Sequence, residues 1–208
     1  MSRPGLLAVA AALALAACSA LLGGGPPPHL YRVTPKSTYP PDLPHVPAAQ
    51  LLIDMPLAPA GLDTTRIALS RSPVSIDYFA DSAWTDRVPL IVQTALLESF
   101  ENSKAITALD RESIGLRADF ILKTEIRHFE AVYDSPNGAP DVRVAINARL
   151  VRMPERVIVA QTSVERHQAA AANDVPQIVM AFDDSLGGCM KDIVVWTVTN
   201  PALSTARR

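Results

Sequence analysis

The chain has 208 residues, with 19 Lys+Arg against 21 Asp+Glu and a formal net charge of −2. This balance excludes a general nucleic-acid binder, which carries a marked basic excess, and 49% hydrophobic residues exclude a wholly disordered chain. Two cysteines make neither a disulfide scaffold nor a four-cysteine zinc site, and 5% aromatics leave little for stacking on bases or sugars.

At the N-terminus, Arg3 precedes an uncharged apolar run from Gly5 to Leu15. That is the length of a signal-peptide core and falls short of the about 20 residues that span a bilayer. The run ends in Leu15-Ala16-Ala17-Cys18. Small residues suit a peptidase pocket that must accept an extended chain. A Cys directly after them resembles the bacterial lipobox, whose Cys takes a diacylglycerol on its thiol and becomes the acylated N-terminus. The resemblance implies a signal peptide over 1–17 and a lipid anchor at Cys18. Each buried methylene contributes about 0.8 kcal/mol, so more than one chain anchors stably. Ser19 stands where an Asp would mark inner-membrane retention, which implies an outer-membrane anchor facing the periplasm. Cys189 is then left without an intrachain partner.

Residues 18–47 form a Pro-rich tether, with Gly23-Gly24-Gly25 followed by Pro26, Pro27, Pro28, Pro35, Pro40, Pro41, Pro44 and Pro47. Proline cannot donate to a ladder and disfavours helix in the residue before it. Within the tether, Leu30-Tyr31-Arg32-Val33 has the composition of a short edge strand.

The folded domain is expected over 48–199. Strands are predicted at 51–53, 67–69 and 74–79. A helix then begins at Thr85 or Asp86, either able to cap it. Val88, Ile91, Val92, Ala95, Leu96 and Phe100 form one apolar stripe at helical spacing, and Pro89 sits in the first turn. Residues 118–133 alternate, with Phe120, Leu122, Ile126 and Val132 on one face and Asp119, Lys123, Glu125 and Arg127 on the other. After a turn at Asn137-Gly138, Val142, Val144, Ile146, Ala148 and Leu150 point inward. A further strand begins at Val157, giving an antiparallel meander with one buried and one wet face. The last helix runs over 175–198, capped by Asp174 with Pro176 in its first turn. Its stripe is Val175, Ile178, Val179, Phe182, Leu186, Cys189, Ile193 and Trp196. Residues 200–208 read as a frayed, flexible tail. The fold class is α/β: a two-layer sandwich of a mixed, mostly antiparallel sheet with two amphipathic helices on one face.

The sequence carries no H-E-x-x-H, G-x-S-x-G or P-loop, so no catalytic site, cofactor site or metal site is expected. Cys189 lies on an apolar stripe and reads as core. His128 and Glu130 share a strand face, read as the buried one, but two groups do not complete a zinc site. His167 ends a strand and reads as solvated. Asp183-Asp184 and Glu98 with Glu101 read as solvated helix faces. Lys123, Arg127, Arg143 and Arg149 share the outer sheet face, a candidate docking surface. Tyr78 and Trp84, with Arg127, Arg143 and Arg149, are the candidate contacts for a partner or lipid; Trp84 also reads as a core anchor.

The motifs in order resemble the ABC-type transport auxiliary lipoproteins. They are Leu30-Tyr31-Arg32-Val33, Leu51-Leu52-Ile53, Gly61-Leu62-Asp63, Arg66-Ile67-Ala68-Leu69, Ile76-Asp77-Tyr78, Ala83-Trp84, Pro89-Leu90-Ile91, Ala118-Asp119-Phe120-Ile121-Leu122, Phe129-Glu130, Ala148-Arg149-Leu150, Val159-Ala160-Gln161, Val179-Met180-Ala181-Phe182 and Ile193-Val194-Val195-Trp196. The proline-rich piece between Pro35 and Pro47 departs from the pattern. The resemblance implies a non-catalytic accessory of an MCE/ABC system that moves phospholipids or other hydrophobic molecules between membranes. Its partners would be the membrane through acylated Cys18, an MCE-domain protein and an ABC permease and ATPase, with lipid binding and a homo-oligomer left open. The alternative is a periplasmic regulator or scaffold of envelope biogenesis, such as an activator of a cell-wall synthase.

Overall fold

A computed structural model describes residues 27–46, 49–112, 117–135 and 137–204. The expected signal peptide and the expected lipidation site Cys18 lie outside the described residues. The elements, in order, are β1 (His29–Tyr31), β2 (Gln50–Ile53), β3 (Arg66–Ser70), β4 (Asp77–Trp84), α1 (Val88–Ser103), β5 (Ala108–Arg111), β6 (Phe120–Val132), β7 (Asp141–Arg152), β8 (Val157–Ala169), α2 (Val175–Val198) and α3 (Pro201–Ser204).

The strands make one eight-stranded mixed sheet that forks at β6. One edge of β6 pairs along its whole length with β7, and β7 with β8, both antiparallel. The other edge of β6 is shared. Its first residues take β2 in parallel and its last take β3 in parallel. Beyond these lie β5 on β2, and β4 then β1 on β3. The long ladders are antiparallel and the short pairings mostly parallel. α1 and α2 cover one face, so the fold is the expected two-layer α/β sandwich.

The core follows the apolar stripes. Ile91, Val92, Leu96 and Phe100 of α1, Ile178, Phe182, Leu186 and Ile193 of α2 and Val142, Val144, Ile146 and Leu150 of β7 are buried in one cluster, with α2 lying along β7 and β8 and α1 against α2, β5 and β2. Trp84, Phe129 and Phe182 form an aromatic centre, with ring centroids 5.7 Å, 5.3 Å and 4.9 Å apart pairwise. The Arg166 side chain of β8, paired with Asp192, crosses close over Gly188 of α2, where a Cβ would sit 3.1 Å from its Cγ.

Besides β5, which the sequence reading did not include, five details differ from it. The strand expected at 74–79 starts at Asp77, because Ser72 O accepts from Ser75 N (3.2 Å) and closes a turn over Pro73-Val74. Neither Thr85 nor Asp86 caps α1. The extended residue before it is Arg87, held by an ion pair to Asp63, and Val88 N–H donates to Thr64 O (3.2 Å). The first turn is thus satisfied by the preceding loop. A bulge between Ile126 and His128 reverses the alternation of β6. Phe129 and Ala131 are therefore buried, while His128, Glu130 and Val132 turn to the outer face. The tail is not frayed through 204: Leu203 of α3 is buried.

The fifth difference is the largest. The tether reading extends to residue 47, but His29 to Val46 is laid against the domain as a strap. β1 pairs with β4. Thr34 donates from its N–H (2.5 Å) and hydroxyl (2.8 Å) to the Asp183 carboxylate. Lys36 N–H donates to Ser99 Oγ (2.9 Å), and Tyr39 Oη donates to Ser99 O (2.8 Å). Val33, Tyr39, Leu43 and Val46 pack against the core. Prolines at 35, 40, 41 and 44 have no N–H to leave unpaired, so a proline-rich segment suits a strap that lacks a full ladder.

Candidate functional site

The outer face of the β6–β7–β8 meander carries the charged residues picked from the sequence. They are not a bare basic patch. Lys123 pairs with Asp54, and Glu125 lies between Arg127 (3.2 Å) and Arg149 (3.6 Å). Arg143 Nε donates to Glu165 (2.7 Å). His167 bridges Asp141 (2.7 Å) and Glu165 (3.0 Å), and His128 meets Glu130 at 2.8 Å. The bond from Arg143, then that from His167, lowers the pKa of Glu165. Asp141, then Glu165, raises that of His167. Only Glu130 faces Arg143 directly across a rung; Lys123 faces Arg149 and Arg143 faces His167, so the ion pairs run diagonally or along a strand and offset like charges that stand opposite each other.

At one end of this face the β3–β4 turn overhangs the sheet and forms an open groove of about 800 Å³. Its walls include Val74, Ile76 and Tyr133, and its floor Arg127, Glu130 and Arg143. Arg71, on the same turn, has its guanidinium 5.6 Å from the Tyr133 ring centre. The groove thus joins an apolar wall to a floor of both charge signs, suited to an amphipathic partner.

Of the candidates from the sequence, the structure brings Arg127 and Arg143 together in this groove. Arg149 lies on the same face but outside it, beside Glu125. Tyr78 sits on β4 with its hydroxyl donating to Gly61 O (3.0 Å) and Arg66 stacked 3.7 Å over its ring. Trp84 is 1% exposed, so a surface contact by it is corrected to a core role. Sequence reasoning missed Arg71, Val74 and Ile76. The Ser72-Pro73 pair was the available signal, since Ser and Pro favour a turn over a strand start.

Two further chemistry-bearing side chains, Cys189 and Asp183, are held by packing and by the strap. The Cys189 thiol is fully buried, donates to Val144 O at 3.5 Å and is pushed up to about 12 by burial. That is the opposite of an activated nucleophile. Asp183 is tied to the strap, unlike the freely solvated carboxylate expected of it. Among the described residues no group of three or more His, Cys, Asp or Glu is placed to hold a metal ion, and no helix is long and apolar enough to cross a membrane.

A protein of Bradyrhizobium diazoefficiens is 34% identical over 152 residues, covering 73% of this chain and 40% of that protein. The chain therefore spans about two fifths of that relative's length. The crystal structure of protein XCC0632 from Xanthomonas campestris superposes with a TM-score of 0.76 at 25% identity, covering 81% of this chain and 94% of that one. A second crystal structure, at 10% identity and a TM-score of 0.62, covers 81% and 97% and shares the fold. The family model for the ABC-type transport auxiliary lipoprotein component matches residues 30–194. That span runs from β1 through most of α2, and the chain belongs to the ABC-type transport auxiliary lipoprotein family.

Proposed function

We propose that the chain is a periplasm-facing, outer-membrane-anchored lipoprotein and a non-catalytic accessory of an MCE/ABC system. That system would move phospholipids or other hydrophobic molecules between membranes. The observation that carries this reading is the family match over 30–194 behind Leu15-Ala16-Ala17-Cys18. Lipid crossing water needs a protected apolar path, because each exposed methylene costs about 0.8 kcal/mol. A tethered domain raises its own effective concentration at the membrane where such a path ends. The outer β6–β7–β8 face that carries Arg127, Arg143 and Arg149 is the proposed docking face, and ATP chemistry belongs to a partner.

The envelope-regulator alternative depends on a long free stalk. With His29 to Val46 laid on the domain, that support weakens. The test has two parts. Cys18→Ala should release the chain from membranes after a carbonate wash, and a variant that stays bound would refute the anchor. A mild-detergent pull-down of the acylated protein should recover an MCE-domain protein or ABC permease. Recovery of a cell-wall synthase with no transporter would overturn the transport role.

A further inference from the structure

Val74 is 96% exposed, the most exposed large hydrophobic side chain among the described residues. It does not hang on a loose loop. Ser70 Oγ donates to Ser72 O (2.7 Å), Ser75 N–H donates to the same carbonyl (3.2 Å), and the Ser72 and Ser75 hydroxyls meet at 2.8 Å. Pro73 fixes its own φ. A braced turn therefore holds Pro73-Val74 out into solvent, at a position where a polar residue would be usual.

The position of this tip relative to the chain's entry follows from strand direction. β1 lies parallel to β4, with His29 beside Ser82 and Tyr31 beside Trp84. Traced backward from Tyr31 to His29, the chain heads toward Asp77, where the turn is. Ser82 to Asp77 spans roughly 17 Å of strand. From Pro28 back to Cys18, an extended chain reaches at most about 36 Å. Residues 31 back to 29 thus run toward the end of the sheet that carries the tip, and the contour length from Pro28 to Cys18 exceeds the distance left along the strand.

We propose that Pro73-Val74 is a second membrane contact, inserting into the lipid surface that holds acylated Cys18 and fixing the domain with its β3–β4 end toward the membrane. The proposal rests on the lipid-anchor reading of Cys18. The same end carries Asp77, Glu130, Asp134, Asp141 and Asp174 with Arg71, Arg127, Arg143 and His167, a near balance of charge. That balance gives no net pull toward an anionic surface, so the contact is apolar and its partner a zwitterionic bilayer.

The test uses the full acylated chain in phosphatidylcholine vesicles, with an environment-sensitive nitrobenzoxadiazole label on Val74→Cys or, at the opposite end of the sheet, on Val157→Cys. Cys189 is 0% exposed and does not compete for the label. The label at 74 should shift to the blue and be quenched severalfold more by brominated lipid than the label at 157, at low and high salt alike. Protein that floats with the vesicles while the label at 74 stays aqueous overturns the docking and leaves the anchor standing. A blue shift unquenched by brominated lipid and growing with protein concentration overturns it in favour of a second copy. Acylated protein that does not float, or Cys18→Ala that still does, overturns the anchor and this contact with it.

Discussion

The docked strap is the feature most open to direct attack, and Tyr39 is its central fastening. Its half-buried ring packs on the core, its hydroxyl donates to Ser99 O, and burial pushes its pKa up to about 12. Asn102 Nδ2 donates to Lys36 O (3.1 Å) and Lys36 N–H donates to Ser99 Oγ (2.9 Å), so the Lys36–Ser37 bond is held beside Tyr39. Tyr39→Ala removes a half-buried ring, about 1 kcal/mol, and one hydrogen bond, about 1 kcal/mol. The sum of about 2 kcal/mol corresponds to about a thirty-fold larger open population. Where opening and closing outpace cleavage, proteolysis follows that population. Trypsin should therefore cut at Lys36–Ser37 about thirty-fold faster in the variant, while far-UV circular dichroism keeps the signature of the sheet and helices. Wild-type protein cut at Lys36 as fast as a free peptide would refute the docked strap. A variant cut no faster than wild type would refute Tyr39 as its fastening.

Two further outcomes test the core and the outer face. Phe182→Ala removes a ring that is 0% exposed and in contact with Trp84 and Phe129, and should cost about 3–5 kcal/mol, read as a lowered urea midpoint. His167, raised by Asp141 and Glu165, should titrate by NMR above its ordinary 6.5, and Glu165→Gln should lower it. Its stabilising contribution is fully present below the ordinary histidine value and is lost as pH rises through the raised one. Glu165 acts in the opposite sense: its contribution is present above the ordinary carboxylate value and is lost as pH falls through the depressed one. Both groups are exposed, so each effect stays within about 1 kcal/mol.

The sandwich was legible because its two helices and the β6–β7 hairpin each carry a long apolar repeat. α2 was read to its first and last residue, from the Asp174 cap, Pro176 and an unbroken stripe. What stayed hidden was set by contacts distant in sequence. Nothing local to Ile126-Arg127-His128 announces a bulge, which follows from register against β7, and so His128 and Glu130 were assigned to the wrong face. The strap escaped for a related reason. Proline content forbids a regular ladder, yet it does not forbid docking through Thr34, Lys36 and Tyr39 onto Asp183 and Ser99, which lie far along the chain. Lys123, Arg127, Arg143 and Arg149 were found by alternation alone. The neutralisation of Lys123 and Arg143 was not, because their partners Asp54 and Glu165 sit on a loop and another strand, whereas Glu125, which pairs with Arg127 and Arg149, was already on the face read from the sequence.

The shortened tether also constrains the proposed role. A free segment over 18–47 in polyproline geometry would reach about 90 Å, whereas Cys18 to Pro28 reaches about 31 Å. A domain anchored at Cys18 by that length stays near its own membrane. It cannot carry cargo across a wide aqueous gap, nor search far from the anchor for a partner. On the proposed transport role, the apolar path would be brought to it by a longer component of the system, and its own part would be to hold a docking face near the membrane at the tilt that the proposed Val74 contact sets. Lengthening the segment between Cys18 and Pro28 with Gly-Ser repeats should leave membrane attachment intact while weakening transport, because it removes that positional control. Transport that is indifferent to the added length would show that the face is positioned by its partners and not by the tether.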